Sequence, residues 1–171
     1  CMRPKSYYLK LRERFTPKKI RCIIIAESPP CSEKYFYDDN GSSTESLFIA
    51  FMKMIRFKVK SNTKKPGLEE FKKKGFLLLD ASYEPINCLP EGSERDNKVK
   101  IGFSDLLPDL KNKKIPILLI KKNVCVLLNP ILTSLGFDVI NKGKIIPFPS
   151  NGNQIRFHKI TSHLFKKRKF I

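Results

Sequence analysis

Two carboxylates, two hydroxyls and an amide stand just beyond runs of apolar residues, and such groups carry acid–base and hydrogen-bonding chemistry. Glu27 and Ser28 open Glu27-Ser-Pro-Pro30, directly after Arg21-Cys-Ile-Ile-Ile-Ala26. Asp80 and Asn87 bound a polar turn after the run that starts at Phe76. Ser150 closes Phe148-Pro-Ser150, and Arg156 and His158 follow it. No metal is needed for this chemistry. His158 and His163 lack a ligand partner at a suitable spacing, and Cys1, Cys22, Cys31, Cys88 and Cys125 include no C-x-x-C pair. The five cysteines read as reduced thiols, mostly packed among apolar residues.

The elements that must position these groups follow from hydrophobic patterning. Arg21–Ala26, Phe76–Asp80, Ile115–Ile120 and a weaker Phe137–Ile140, with Lys144–Pro147 close behind, predict buried strands. Their apolar character is continuous rather than alternating, so both faces of the sheet must be covered. Helical spacing falls between them: Ser46–Lys58, with a capping box offered by Ser42-Ser-Thr-Glu45, then Pro66–Gly75, Phe103–Lys111, Lys122–Leu135 with Gly136 as its stop, and Asn153–Lys169. Strands separated by helices imply a three-layer α/β/α domain over residues 1–171, with a central four-stranded, mainly parallel sheet. Open parallel sheets bind ligands beyond the carboxyl ends of their strands, which is where the three polar turns fall.

Charge narrows the class of partner. The chain has 34 Lys and Arg against 16 Asp and Glu, a net +18. Such a field attracts polyanions and opposes self-association, so a nucleic acid is the leading partner and a monomer is expected. A Lys-rich surface with no such partner is the plain alternative. No run of 18 apolar residues exists, which argues against a membrane span and leaves a cytoplasmic, nucleoid-associated location as the expectation. Neither a P-loop nor a Gly-x-Gly-x-x-Gly loop is present, so nucleotide hydrolysis and dinucleotide redox chemistry are poor fits and no cofactor is expected. The Lys58–Lys65 stretch reads as a solvated basic loop, and Lys166–Lys169 as a cationic last turn that suits the helix dipole or a phosphate backbone.

Ile24-Ile-Ala-Glu-Ser-Pro-Pro30, then Leu77-Leu-Leu-Asp-Ala-Ser82, then Phe148-Pro-Ser150 with Arg156 beyond, resemble the ordered motifs of the uracil-DNA glycosylase superfamily. The resemblance covers about residues 12–165 and implies a DNA glycosylase that removes a flipped base, uracil or another modified or deaminated one, in base-excision repair. By that match Glu27 is the catalytic carboxylate, and Ser28 stands where another branch has Asp. A fixed carboxylate suits the positive charge that builds on the sugar as an N-glycosidic bond breaks. Phe36, within Tyr35-Phe-Tyr37, takes the place of the aromatic that stacks on the extruded base, or else the trio is core.

The chain departs from the family at two positions. Asp80 replaces the amide that reads uracil, so it must be protonated, or face a base with two donors, or be helped by Asn87; otherwise it is a turn residue. Phe148 replaces the histidine that stabilises the departing base, leaving Ser150, backbone N–H groups at the start of the following helix, Arg156 or His158 for that task. The resemblance to the iron–sulfur branch does not extend to paired cysteines, so no cluster is expected. A nucleic-acid-binding protein that kept the fold and lost catalysis is the alternative.

Overall fold

The computed structural model describes residues 3–32, 34–150 and 152–171. Its elements run α1 (Lys5–Arg14), β1 (Cys22–Ala26), α2 (Ser46–Met54), α3 (Lys65–Lys73), β2 (Phe76–Asp80), α4 (Ser93–Leu106), β3 (Ile117–Leu119), α5 (Lys122–Ser134) and α6 (Gln154–Lys167), with one 3-10 turn at Leu107–Asp109. The three strands form a parallel sheet in the order β2-β1-β3. Ile24 is in register with Leu78 on one side and Leu118 on the other.

Every strand residue is buried. The pleat sends neighbours to opposite faces, so the apolar runs feed two cores. Cys22, Ile24, Phe76, Leu78 and Leu118 pack with Phe51, Phe71 and Phe165 from α2, α3 and α6. Ile23, Ile25, Leu77, Leu79 and Leu119 pack with Val99 and Phe103 of α4 and with Val124 and Leu128 of α5. The chain moves from β1 to β2 in one direction and from β2 past β1 to β3 in the other. Crossovers of one hand must then place their helices on opposite faces, and α2–α3 and α4 lie so.

The fourth strand expected from the sequence does not form. Val139 makes a single parallel bridge to Ile117, supported by Ile117 N–H to Asp138 O at 2.8 Å and Ile140 N–H to Ile117 O at 2.9 Å. The next rung is a side chain. Asn141 Oδ1 accepts from Leu119 N–H at 2.8 Å and its amide donates to Leu119 O at 2.8 Å, so one residue substitutes for a strand. Lys142 and Gly143 then adopt left-handed φ of 48° and 76° and turn the backbone out. The opposite edge is closed in the same way. Tyr37 Oη accepts from Leu78 N–H at 2.7 Å and donates to Leu78 O at 3.2 Å. Both edges of the short sheet are thus closed by buried side chains.

Local signals in the sequence met other fates too. Ser42-Ser-Thr-Glu45 does not cap α2: Ser42 bonds Thr44, while Glu45 pairs with Lys64 at 2.8 Å. Lys64, expected in a solvated loop, is fully buried, because its ammonium also donates to Tyr35 O at 2.5 Å. Phe103–Lys111 is instead the end of the longer α4 and its 3-10 turn. Arg168 of the basic tail is held by two bonds to Asp138, at 2.6 and 2.7 Å.

Reduced thiols were expected throughout, but Cys31 and Cys88 are joined in a disulfide. β1 and β2 are adjacent and end in register at Ala26 and Asp80, so the loops that follow them meet. Cys22 and Cys125 remain free and buried; Cys1 lies outside the described residues. The bridge spans 57 residues. Loop-closure entropy then assigns it about 4 kcal/mol, an upper value when the unfolded chain retains structure. Adding reductant should therefore lower the wild-type melting temperature and leave that of Cys31→Ser/Cys88→Ser unchanged.

Candidate active-site cleft

A cleft of about 770 Å³ opens at the carboxyl edge of the sheet. With strand order β2-β1-β3, the chain leaves β1 toward one side and reaches β3 on the other, which makes the gap between these two strand ends the expected ligand crevice. Glu27, Ser28, Phe36, Asp80, Asn87 and Ser150 all line this cleft. Arg156 and His158 do not border it. Arg156 is exposed on α6, and the half-buried His158 lies near Ser162 at 3.4 Å, its pKa lowered by burial and by Lys53.

Glu27 is 4% exposed and sits at the centre of a network that sequence reading missed. Arg95 Nε and Nη2 donate to its two oxygens at 2.8 and 2.7 Å. Asn123 donates to Oε1 at 2.6 Å, and the Lys121 ammonium donates to Oε2. Four donors therefore occupy the four or so lone-pair sites of one carboxylate. Burial pushes its pKa up, but hydrogen bonds from Arg95, Lys121 and Asn123 outweigh burial and hold it below its ordinary value. One carboxylate with two cations leaves the cluster at a net +1.

Each partner is placed by a different element. Arg95 lies two turns before Gly102 on the same face of α4. A Cβ on Gly102 would fall 2.5 Å from Ala81 O, so glycine lets α4 close onto the β2 loop and carries Arg95 to the cleft. Lys121 and Asn123 come from the junction of β3 with α5. Only Lys121 had a legible signal, a lysine directly after an apolar strand; Arg95 stands in a charged run that reads as a solvated face.

Asp80, 4% exposed, faces the cleft beside Tyr35. Burial raises its pKa to about 7, against the opposing pull of Arg12 and Tyr35 and with help from Glu27. The Tyr35 hydroxyl favours the ionised carboxylate by proximity, yet it is buried and makes no hydrogen bond of ordinary geometry. At neutral pH the Asp80 carboxyl is thus divided between donor and acceptor forms. In the unfolded chain it titrates near 4. Its folded form is penalised when charged, so the penalty is present above about pH 7 and is relieved as pH falls toward 4. Asp80→Asn should unfold at higher denaturant than wild type at pH 8, by a few kcal/mol, with the gain vanishing near pH 4.

The remaining residues divide into supports and lining. Ser28 Oγ accepts from Ile86 N–H at 3.3 Å, and Asn87 Oδ1 accepts from Cys31 N–H at 2.8 Å, so both tie the β1 loop to the β2 loop. Phe36 is 3% exposed and packs edge-on against Tyr37, Phe51 and Phe71, so it borders the cleft mainly as part of the aromatic core. Phe148 is only half-buried there. Gln154 holds its loop by donating to Pro149 O at 2.5 Å and to Ser46 O at 3.0 Å. Among the described residues no group of three or more His, Cys, Asp or Glu converges on a metal-sized site, and no helix is long and apolar enough to cross a membrane. No family model, curated protein or solved structure matches the chain.

Proposed function

We propose that the chain is a DNA glycosylase of the uracil-DNA glycosylase type, which admits a flipped base to the cleft and hydrolyses its N-glycosidic bond. One observation carries this reading. Three polar turns that are far apart in sequence, each resembling a glycosylase motif with departures at Asp80 and Phe148, line a single cleft at the carboxyl edge of a parallel sheet. The net charge of +18 suits a phosphate backbone along the surrounding surface.

Within this reading the roles shift from those the motifs imply. The half-buried Phe148 suits stacking on a base better than the buried Phe36, and such a stack contributes roughly 1–3 kcal/mol. Asp80 in its protonated form donates where the family amide donates, which supports recognition of a carbonyl-bearing base. The Glu27 cluster, at net +1, suits the anionic departing base better than the cationic sugar. For Glu27 itself to orient water, Asn123 or Lys121 must first release one of its oxygens.

That same saturation favours a second reading, a nucleic-acid-binding protein without base release. Both readings require DNA affinity that falls with salt, about tenfold or more between 50 and 200 mM for several phosphate contacts. Fluorescence anisotropy with a labelled duplex measures it. A flat response would remove nucleic acid as the partner; salt-sensitive binding with no abasic product would leave the binding protein alone.

A further inference from the structure

We infer that Lys121 is the amine nucleophile of a second activity in this cleft, imine formation with the aldehyde of an abasic deoxyribose followed by strand scission. This rests on the nucleic-acid reading of the cleft. It does not require that the protein itself remove the base.

Three observations converge on Lys121. Its side chain is 21% exposed and borders the cleft, whereas Lys34 and Lys122 on the same cleft are exposed to solvent. Its backbone has φ 81° and ψ 141°, a conformation natural to glycine and strained for any other residue. The strain is held by Lys121 N–H to Ile146 O at 2.9 Å and by Cys125 N–H to Lys121 O at 3.0 Å. Glycine there would relieve it, so a lysine at this point suggests that the side chain is used. Finally, Arg95 shares the Glu27 carboxylate with Lys121. A second cation beside a partly desolvated lysine is an arrangement that favours the free amine. Burial lowers the Lys121 pKa accordingly, with Glu27 opposing.

The chemistry balances without a cofactor. The ammonium gives one proton to solvent, and the free Nζ lone pair attacks C1′ of the ring-opened sugar. The carbonyl electrons move to oxygen, which takes one proton from the attacking nitrogen and one from solvent and leaves as water, giving an iminium. Loss of a C2′ proton to water then drives electrons toward C3′, and the C3′–O bond breaks with departure of the 3′ phosphate. Water hydrolyses the iminium and restores Lys121.

The test supplies the abasic site ready-made. A duplex with one abasic deoxyribose is incubated with the full chain and borohydride, which reduces the iminium to a stable amine. Anisotropy measures binding of the same duplex in parallel. The expected result is a covalent adduct that maps to Lys121 by peptide mass. Lys121→Arg keeps a cation for Glu27 but has no nucleophilic amine, so trapping per bound duplex should fall by about tenfold or more. Lys121→Gly removes the backbone strain along with the amine and should lose trapping equally. Trapping by Lys121→Arg at the wild-type rate, adducts spread over surface lysines, or binding without trapping would each overturn the assignment of Lys121 while leaving DNA binding intact. Failure to bind the duplex at all would overturn it together with the nucleic-acid reading.

Discussion

Glu27→Gln should lose about 3–5 kcal/mol of stability, the usual cost of breaking a buried ion pair from one side. Arg95, 6% exposed, and the partly covered Lys121 would keep their charges with no carboxylate between them, and the Gln amide would point donors at donors. For a chain of this size the loss corresponds to a melting temperature lower by about 6–20 °C. If the chain is the proposed glycosylase, base release measured well below that temperature should fall by about 100-fold or more, because the two cations lose the group that aims them at the cleft.

The pH dependence gives an independent check on the same residue. Glu27 has its folded pKa below its unfolded one, so the stability it contributes is present above about pH 4.5 and is lost as pH falls through the lower folded value. Glu27→Gln should lack this acid-sensitive component. A variant as stable as wild type at pH 7, with the same acid limb, would mean that the four hydrogen bonds contribute nothing net.

Lys64→Met should be of similar size, about 3–5 kcal/mol, and for a related reason. The ammonium is fully buried and satisfies both Glu45 Oε2 and Tyr35 O, under the loop that leads into Phe36 and Tyr37. Removing it leaves the Glu45 carboxylate, 14% exposed, facing a thioether. Replacing both partners tests the cause: Lys64→Met/Glu45→Leu should recover most of the loss, since an apolar pair avoids the unpaired charge. Equal loss in the single and double variants would point to the bond with Tyr35 O as the dominant contribution. Tyr35 and Glu45 both line the cleft, so Lys64→Met should also weaken ligand binding at temperatures where it remains folded.

How much of this was legible in the sequence depended on whether one residue or several had to cooperate. The Phe76–Asp80 strand is found as the apolar run predicts, because continuous burial on both faces leaves its residues no other use. The fourth strand failed because Asn141 offers β3 a side-chain amide in place of a backbone, a choice that hydrophobic patterning does not register. Helix α1 went unseen since Tyr8 is its one buried residue among many charges. The carboxyl-edge rule correctly sends Glu27, Asp80, Asn87 and Ser150 to one cleft, as it depends on topology alone. It could not show that Arg95, Lys121 and Asn123, from two separate segments, meet on Glu27. Nor could it distinguish Phe36, locked in an aromatic core, from Phe148, which keeps surface in the cleft.

Base release itself is the most direct measure of the proposed activity. Wild-type chain in excess is incubated with a panel of oligonucleotides, single- and double-stranded, carrying uracil, hypoxanthine, xanthine or an alkylated base, and the products are treated with alkali to cut abasic sites. The expected result is single-turnover cleavage at one or more of these bases, faster than in the Glu27→Gln variant by about 100-fold. Intact DNA across the whole panel, under salt conditions where binding is demonstrated, would contradict the glycosylase and leave a binding protein with its carboxylate locked by Arg95, Lys121 and Asn123.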